Sequence, residues 1–282
     1  MATVNDILSQ FKSELNDSFT QNEKQQIAKM FLMNRMNLSM TDIILKRNED
    51  VPKHDFKEIL RDIHRINRGK PVQYVLGVTY FYGLELITDE RALIPRPETE
   101  ELVNWIIEIA SDRSPKLLDV GTGSGCIPLA VKANLPNSDV RGIDYSQDAI
   151  DLANENAKKL GLTARFEIGS ALNLEDYSKY KWDIIVSNPP YIPYKDKKNM
   201  QSHVVEYEPE IALFVPDKDP LMFYKDIAKY AKEYLVPNGH LFFEINENYA
   251  KEVKEVLTLL GFSEIELKKD LQGKDRMIKA KL

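Results

Sequence analysis

The chain has 282 residues, 43% of them hydrophobic, enough to bury a substantial core and to form two domains. Its net charge of −6 and isoelectric point near 5.4 argue against stable nucleic-acid binding, which rests on lysines and arginines neutralising phosphates. No apolar stretch approaches the ~20 residues that span a bilayer, and Met1-Ala2-Thr3-Val4-Asn5-Asp6 lacks a signal-peptide pattern, so a soluble, cytoplasmic protein without a membrane partner is expected.

The first segment reads as helices. Ile7, Leu8, Phe11 and Leu15 share one helical face, as do Ile27, Met30, Phe31 and Asn34, and again Ile59, Leu60, Ile63 and Ile66. A small helical bundle over 1–72 is expected. Its methionines Met30, Met33, Met36 and Met40 are expected to fill gaps in the core, an adaptable binding surface being the other possibility. Arg68-Gly69-Lys70-Pro71 breaks the helical pattern, and Val75 to Thr88 is rich in aromatic and β-branched residues with a turn near Tyr82-Gly83. This predicts a β-hairpin linker within 73–96, followed by an α/β domain over 97–282. Pro97 suits the first position of a helix whose first turn holds Glu98, Glu100 and Glu101, where the helix dipole favours negative charge.

From Lys116 strands and helices alternate, which predicts a doubly wound, mostly parallel sheet with helices on both faces. Lys116 to Val120 is a strand, followed by Gly121-Thr122-Gly123-Ser124-Gly125 and a helix from Cys126 with Pro128 in its first turn. Glycines at alternate positions permit a sharp bend and close approach of a ligand to bare backbone. The spacing is not the Gly-x-Gly-x-x-Gly of dinucleotide binding, so a pyrophosphate is not expected. Asp144 ends the next strand, Val140 to Ile143, at about the 20-residue offset from which an acid accepts ribose hydroxyls. A nucleoside ligand follows from that spacing.

A helix from Ala149 to Leu160 is stopped by Gly161, and strands follow at Phe166 to Ile168 and Asp183 to Ser187. Directly after them stands Asn188-Pro189-Pro190-Tyr191, a carboxamide at the C-terminal end of a strand, where open α/β sheets keep their ligand crevice. The prolines offer no N–H, so the Asn188 side-chain oxygen and the Pro189 carbonyl make a rim of acceptors suited to an NH2 group. An ordinary strand-to-loop turn is the competing explanation. Lys195-Asp196-Lys197-Lys198 reads as a solvated polar loop. A helix from Phe223 to Leu235 ends before Pro237-Asn238-Gly239, which leads into a strand from His240 to Ile245. After a helix over Tyr249 to Leu260, strands Ser263 to Leu267 and Arg276 to Lys281 form an antiparallel terminal hairpin. Cys126 is the only cysteine, and His54, His64, His203 and His240 are scattered without metal-ligand spacing, so no metal is expected.

The motifs Asp119 to Gly125, Asp144 and Asn188 to Tyr191 resemble the S-adenosylmethionine-dependent methyltransferases with a Rossmann-like domain that act on amino or amide nitrogens. Leu93-Ile94-Pro95-Arg96-Pro97-Glu98-Thr99-Glu100 upstream, with Tyr207-Glu208-Pro209 and Ala212-Leu213 downstream, narrow the likeness to the peptide chain release factor N5-glutamine methyltransferases, over nearly the whole chain. The resemblance implies that Gly121, Thr122, Gly123, Ser124, Gly125, Asp144, Leu172 and Asn188 hold S-adenosylmethionine. It implies that Asn188, Pro189, Pro190 and Tyr191 bind the target glutamine, with Asn188, Pro189 and Tyr191 at the reacting nitrogen and Asp119, Arg96, Glu98 and Thr99 behind them. The implied substrate is the glutamine of the Gly-Gly-Gln tripeptide of class 1 release factors, with the N-terminal bundle as docking surface. Leu172 stands where the family often has an aromatic residue near the adenine, which implies aliphatic packing there. Glu244-Ile245-Asn246 replaces the common Glu-Ile-Gly. A ribosomal-protein glutamine methyltransferase, an adenine-N6 nucleic-acid methyltransferase and a non-catalytic adenosyl-ligand sensor are the alternatives.

Overall fold

The computed structural model describes residues 2–111, 114–174, 177 and 179–282. The chain splits into two compact units, Met1–Gly77 with Ser202–Tyr207, and Val78–Gln201 with Glu208–Leu282.

In the first unit, α1 (Val4–Glu14), α2 (Gln21–Met36) and α3 (Met40–Leu45) each open on a capping box, formed by Thr3 with Asp6, Thr20 with Glu23 and Ser39 with Asp42. Helices α4 (Lys53–Asn67) and α5 (Val72–Leu76) follow. Ile7, Phe11, Phe31, Leu32, Ile59 and Ile63 are buried, with the Phe11 and Phe31 rings 5.1 Å apart. The methionines do not fill this core. Met33 and Met40 are exposed and Met30 and Met36 half-buried, because the buried stripe of α2 runs through Ile27, Ala28, Phe31 and Leu32. Helix α9 (Ser202–Tyr207) returns to this unit, where the Tyr207 hydroxyl donates to the Arg68 carbonyl at 3.1 Å.

The second unit begins with the antiparallel pair β1 (Val78–Phe81) and β2 (Leu84–Ile87), turning at Tyr82 and Gly83, both at positive φ. Helix α6 (Pro97–Ala110) starts on its proline. Strands β3 (Lys116–Val120), β4 (Asp139–Asp144), β5 (Arg165–Ile168) and β6 (Trp182–Ser187) alternate with α7 (Cys126–Asn134) and α8 (Gln147–Leu160). After the short parallel pair β7 (Ile192–Pro193) and β8 (Phe214–Val215), with α10 (Glu210–Leu213) between, come α11 (Met222–Tyr234), β9 (Leu235–Glu244), α12 (Ala250–Leu259), β10 (Ser263–Lys269) and β11 (Asp275–Lys281).

The main sheet has the order β10-β11-β9-β6-β3-β4-β5, with β9, β6, β3, β4 and β5 parallel and β11 antiparallel to both neighbours. Leu117, Leu118, Asp119 and Val120 of β3 are all buried, as a parallel strand covered on both faces must be. Leu117, Val140, Ile184 and Phe242 pack with Leu102, Trp105, Ile106 and Leu129 on one face. Leu118, Val120, Ile143, Ile185 and Phe243 pack with Tyr224, Ile227, Val253 and Leu257 on the other. The expected α/β architecture with its antiparallel terminal hairpin is therefore present.

Two local expectations are corrected. Pro237-Asn238-Gly239 lies inside β9 as a bulge, with Asn238 at φ 64, and the pairing to β6 jumps from Trp182 opposite Leu235 to Ile184 opposite His240. Lys195 to Lys198 lie in a short 3-10 helix, Tyr194–Asn199, where Lys197 pairs with Glu210.

Candidate active site

Strand β3 is flanked by β4 and β6, and the chain winds outward from it in both directions, so the crevice at the carboxyl ends of these strands is the topological switch point of the sheet. A cavity of about 410 Å³ opens there, lined by the turn after β3, the end of β4, residues 169–172, Asn188, Pro190 and the segment 91–96 with Thr99.

The glycine turn is bent by three residues at positive φ: Gly121 at 78°, Gly123 at 54° and Gly125 at 77°. Its register on β4 is set by close packing. A Cβ on Gly142 would lie 2.4 Å from the Thr122 hydroxyl and 2.8 Å from the Phe166 ring, so only glycine lets the turn settle onto β4. Gly121 and Thr122 both donate to the Ile143 carbonyl at 2.9 Å, and the Thr122 hydroxyl donates to Asp119 Oδ2 at 2.7 Å. Asp119 Oδ1 is buried without a hydrogen-bond partner among the described residues. Burial pushes the Asp119 carboxyl up to about 7, against the Thr122 hydrogen bond and with some help from the charge on Asp144. From the other side Asn156 of α8, fully buried, donates to the carbonyls of Ser124 and Ile87 at 3.0 and 3.1 Å and accepts from the Ile87 N–H at 2.6 Å.

Asp144 lines the cavity and accepts from the N–H groups of Gly123 and Ser146 at 2.8 and 3.0 Å. A carboxylate has about four lone-pair positions, so capacity remains for a hydroxyl donor beside these backbone bonds. Burial raises its proton affinity, opposed by these backbone bonds. Tyr145, the next residue, is 68% exposed at the cavity edge, across from Leu172 at 46%.

On the β6 side, the Ser187 hydroxyl donates to the Val120 carbonyl at 2.6 Å and ties the ends of β6 and β3 together. Asn188 then reaches the cavity, its Nδ2 donating to Thr99 Oγ1 at 3.3 Å. The Thr99 hydroxyl donates to Glu244 Oε2 at 2.6 Å, and the Tyr191 hydroxyl donates to Glu244 Oε1 at 3.2 Å. Burial and the nearby Glu244 charge hold the Tyr191 hydroxyl protonated well above its ordinary range. The two flanking motifs also meet. Arg96 Nη2 contacts both Glu208 oxygens at 2.7 and 2.8 Å, and the Ile94 N–H donates to Glu208 Oε2 at 3.2 Å.

The cavity thus brings together Gly121, Thr122, Gly123, Ser124, Asp144, Leu172, Asn188, Pro190, Arg96 and Thr99. Asp119, Gly125, Glu98, Pro189 and Tyr191 stand outside its lining: Asp119 and Pro189 are buried, and Tyr191 is half-buried with its hydroxyl on Glu244. Asn156, Tyr145 and Glu244 were given no role from the sequence. Asn156 carried a signal, because it shares the apolar face of α8 with Leu152 and Ala153. Glu244 carried another, an acid closing the apolar run Leu241-Phe242-Phe243. Among the described residues no cluster of three or more His, Cys, Asp or Glu could hold a metal, and no helix is long and apolar enough to cross a membrane.

A family model described as a methyltransferase domain matches residues 111–270, and one described as the PrmC N-terminal domain matches residues 6–77. A release factor glutamine methyltransferase from Flavobacterium psychrophilum is 41% identical over 275 residues, covering 96% of each chain. Its counterpart from Streptococcus pneumoniae is 38% identical over 274 residues, also covering 96% of each. Among solved structures, a methyltransferase from Pyrococcus furiosus matches with a TM-score of 0.52 over 82% of this chain and 98% of its own at 14% identity, a likeness of fold alone.

Proposed function

Because the chain belongs to the release factor glutamine methyltransferase family, we propose that it transfers a methyl group from S-adenosylmethionine to N5 of the glutamine in the Gly-Gly-Gln tripeptide of class 1 release factors. The observation that carries the chemistry is the Asn188 carboxamide, whose NH2 is engaged by Thr99 so that its oxygen is left for a guest. That oxygen can take one hydrogen of a neutral amide, and the Pro189 carbonyl, on a buried residue outside the cavity lining, would have to turn toward the guest to take the other.

The residues at the cavity fit the cofactor. Bare backbone at Gly121 and Gly123 allows close approach, Asp144 keeps acceptor capacity for the ribose hydroxyls, and Tyr145 and Leu172 offer an aromatic and an aliphatic surface for a flat base. The volume lies within the roughly 300–1,000 Å³ of ligand pockets. When bound, S-adenosylmethionine supplies an electrophilic methyl on a sulfonium that is already a good leaving group. The remaining work of the protein is positioning, worth about 7–11 kcal/mol when reacting atoms are held near contact. Asn188 and the Pro189 carbonyl also favour the positive charge that develops on the nitrogen. No base has to remove a proton before attack, because the amide proton becomes acidic only as the N–CH3 bond forms and then passes to water; the transfer calls for no metal.

Acceptors at the rim explain selection of glutamine over glutamate, since a carboxylate has no hydrogens to offer. Sites built around a hydrogen-bonding group reject analogues that lack it by roughly 10⁴–10⁵. The first unit exposes Met33, Met40, Ile44 and Leu45, an apolar surface on which the release factor body can dock. Cytoplasmic residence goes with such a substrate. The test is incubation with labelled cofactor and, separately, a release factor, ribosomal proteins and DNA. Label on the glutamine of Gly-Gly-Gln is expected; label confined to ribosomal protein or to DNA overturns the proposal.

A further inference from the structure

We propose that Glu244 is a positioning residue that fixes the polarity of the acceptor rim, compelling Asn188 to present its oxygen and not its NH2 to the cavity. The proposal rests on the function above and names the group that makes the rim selective for an amide.

Asparagine is nearly symmetric in shape, and turning its carboxamide over exchanges an acceptor for a donor at almost no steric cost. What holds it is a directional chain. Glu244 closes β9 at 1% exposure, and β9 lies beside β6, which leads directly into Asn188. An ionised carboxylate only accepts, so the one proton of Thr99 is committed to Oε2 at 2.6 Å. The hydroxyl oxygen of Thr99, a residue only 2% exposed, is then left as an acceptor, and the Asn188 group that can satisfy it is Nδ2, at 3.3 Å. Oδ1 is thereby turned outward. The other carboxylate oxygen takes the Tyr191 hydroxyl at 3.2 Å, while Asn246 Nδ2 donates to the Tyr191 carbonyl at 3.3 Å, so the far end of Asn-Pro-Pro-Tyr is tied to the same strand end.

The groups facing Glu244 come from several elements. Glu98 and Thr99 belong to α6, Cys126 to α7, Tyr191 to the segment after β6, Tyr224 to α11 and Arg276 to β11. Burial raises the proton affinity of Glu244 and the Glu98 charge adds to it, while the Thr99 hydrogen bond, the Arg276 charge and the Tyr191 hydroxyl oppose. Acidification therefore protonates a group that was acceptor-only, and the chain loses its direction.

The test compares Glu244→Gln with the parent. Glutamine keeps the shape but adds a donor, so Thr99 no longer has to give its proton inward and Asn188 can turn over. The expected result is a loss of roughly 10²-fold in kcat/KM for the release factor, the scale of losing one transition-state polar contact. The acidic limb of the pH–rate profile loses the Glu244 contribution and keeps those of Asp119 and Asp144, while cofactor Kd and melting temperature stay close to the parent's. Thr99→Val breaks the same chain and loses a similar factor, the double variant is no worse than either single one, and Thr99→Ser recovers most of the loss. Near-parental kcat/KM in Glu244→Gln with the acidic limb intact overturns the proposal. Side-chain amide NMR gives a readout independent of turnover: contacts from the Asn188 NH2 to the Thr99 methyl are expected in the parent and lost in Glu244→Gln, and their persistence also overturns it. If the parent labels no release factor, the assigned function fails, and the amide contacts still decide the polarity.

Discussion

Gly142→Ala probes the seat of the glycine turn. The new methyl would lie 2.4 Å from the Thr122 hydroxyl, 2.8 Å from its Cβ and 2.8 Å from the Phe166 ring, distances that Cβ atoms do not tolerate. Forcing a methylene into a packed site costs about 1–3 kcal/mol. Relief by moving Thr122 breaks its hydrogen bond to Asp119, whose other oxygen already lacks a partner, and a buried bond to a charged group is worth about 1.5–3 kcal/mol. The sum is roughly 3–6 kcal/mol. At about 2–4 °C per kcal/mol the melting temperature falls by roughly 6–24 °C. Because Thr122 and its neighbours line the cavity, the Kd for S-adenosylmethionine measured by calorimetry rises at least about tenfold, equivalent to about 1.4 kcal/mol. Gly161→Asn is the control: φ is 65° there, nothing lies within 4 Å of a built Cβ, and asparagine tolerates that conformation. A Gly142→Ala protein that melts and binds cofactor like the parent refutes the packing account of the turn.

Asn188→Ala should lower turnover by roughly 10²-fold; near-parental turnover would remove Asn188 from the acceptor rim. Asn156→Leu should destabilise the chain by about 1–3 kcal/mol in urea titrations, since it strands the part-buried Ile87 N–H and carbonyl and the buried Ser124 carbonyl. The Asp119 carboxyl, raised to about 7 in the folded chain from the ordinary carboxylate range, binds its proton more tightly folded than unfolded. That contribution is fully present below about pH 4 and is lost as pH rises through about 7, on the order of 4 kcal/mol at 1.36 kcal/mol per unit. Asp119→Asn should flatten the slope of stability between those pH values; an unchanged slope refutes the assignment. Ile44→Glu with Leu45→Glu should raise KM for the release factor while kcat and cofactor Kd hold; an unchanged KM removes that face from docking.

The strand ends that build the cavity were legible because each announces itself locally. Asp119, Asp144 and Asn188 follow apolar runs too short for helices and precede glycine, a helix cap or proline. Helices α3 and α5 were not legible, since six and five residues are too few for a periodic pattern. The Pro237-Asn238-Gly239 bulge read as a turn because its residues are turn formers, and only pairing with β6 keeps it in the strand. The bond between Thr99 and Glu244 joins positions 145 apart, and the pair Arg96 with Glu208 joins positions 112 apart. Neither partner's neighbourhood in sequence names the other. Met33 of α2 and Met40 of α3 are exposed for a related reason, since methionine suits interior and surface alike and only the packed neighbours decide.

Strand β11 sits inside the sheet, between β9 and β10, and its loss is not a trimming of the edge. A protease cut or frameshift that removes Asp275–Lys281 uncovers the hydrogen-bonding side of β9 along Leu241, Phe242 and Phe243, a bare apolar edge that invites pairing with other chains. It also removes Arg276, a positive charge that favours the ionised carboxylate at the end of that strand. Damage at this hairpin therefore yields sticky, inactive material and not a slower enzyme, so surviving soluble molecules are those with the hairpin whole.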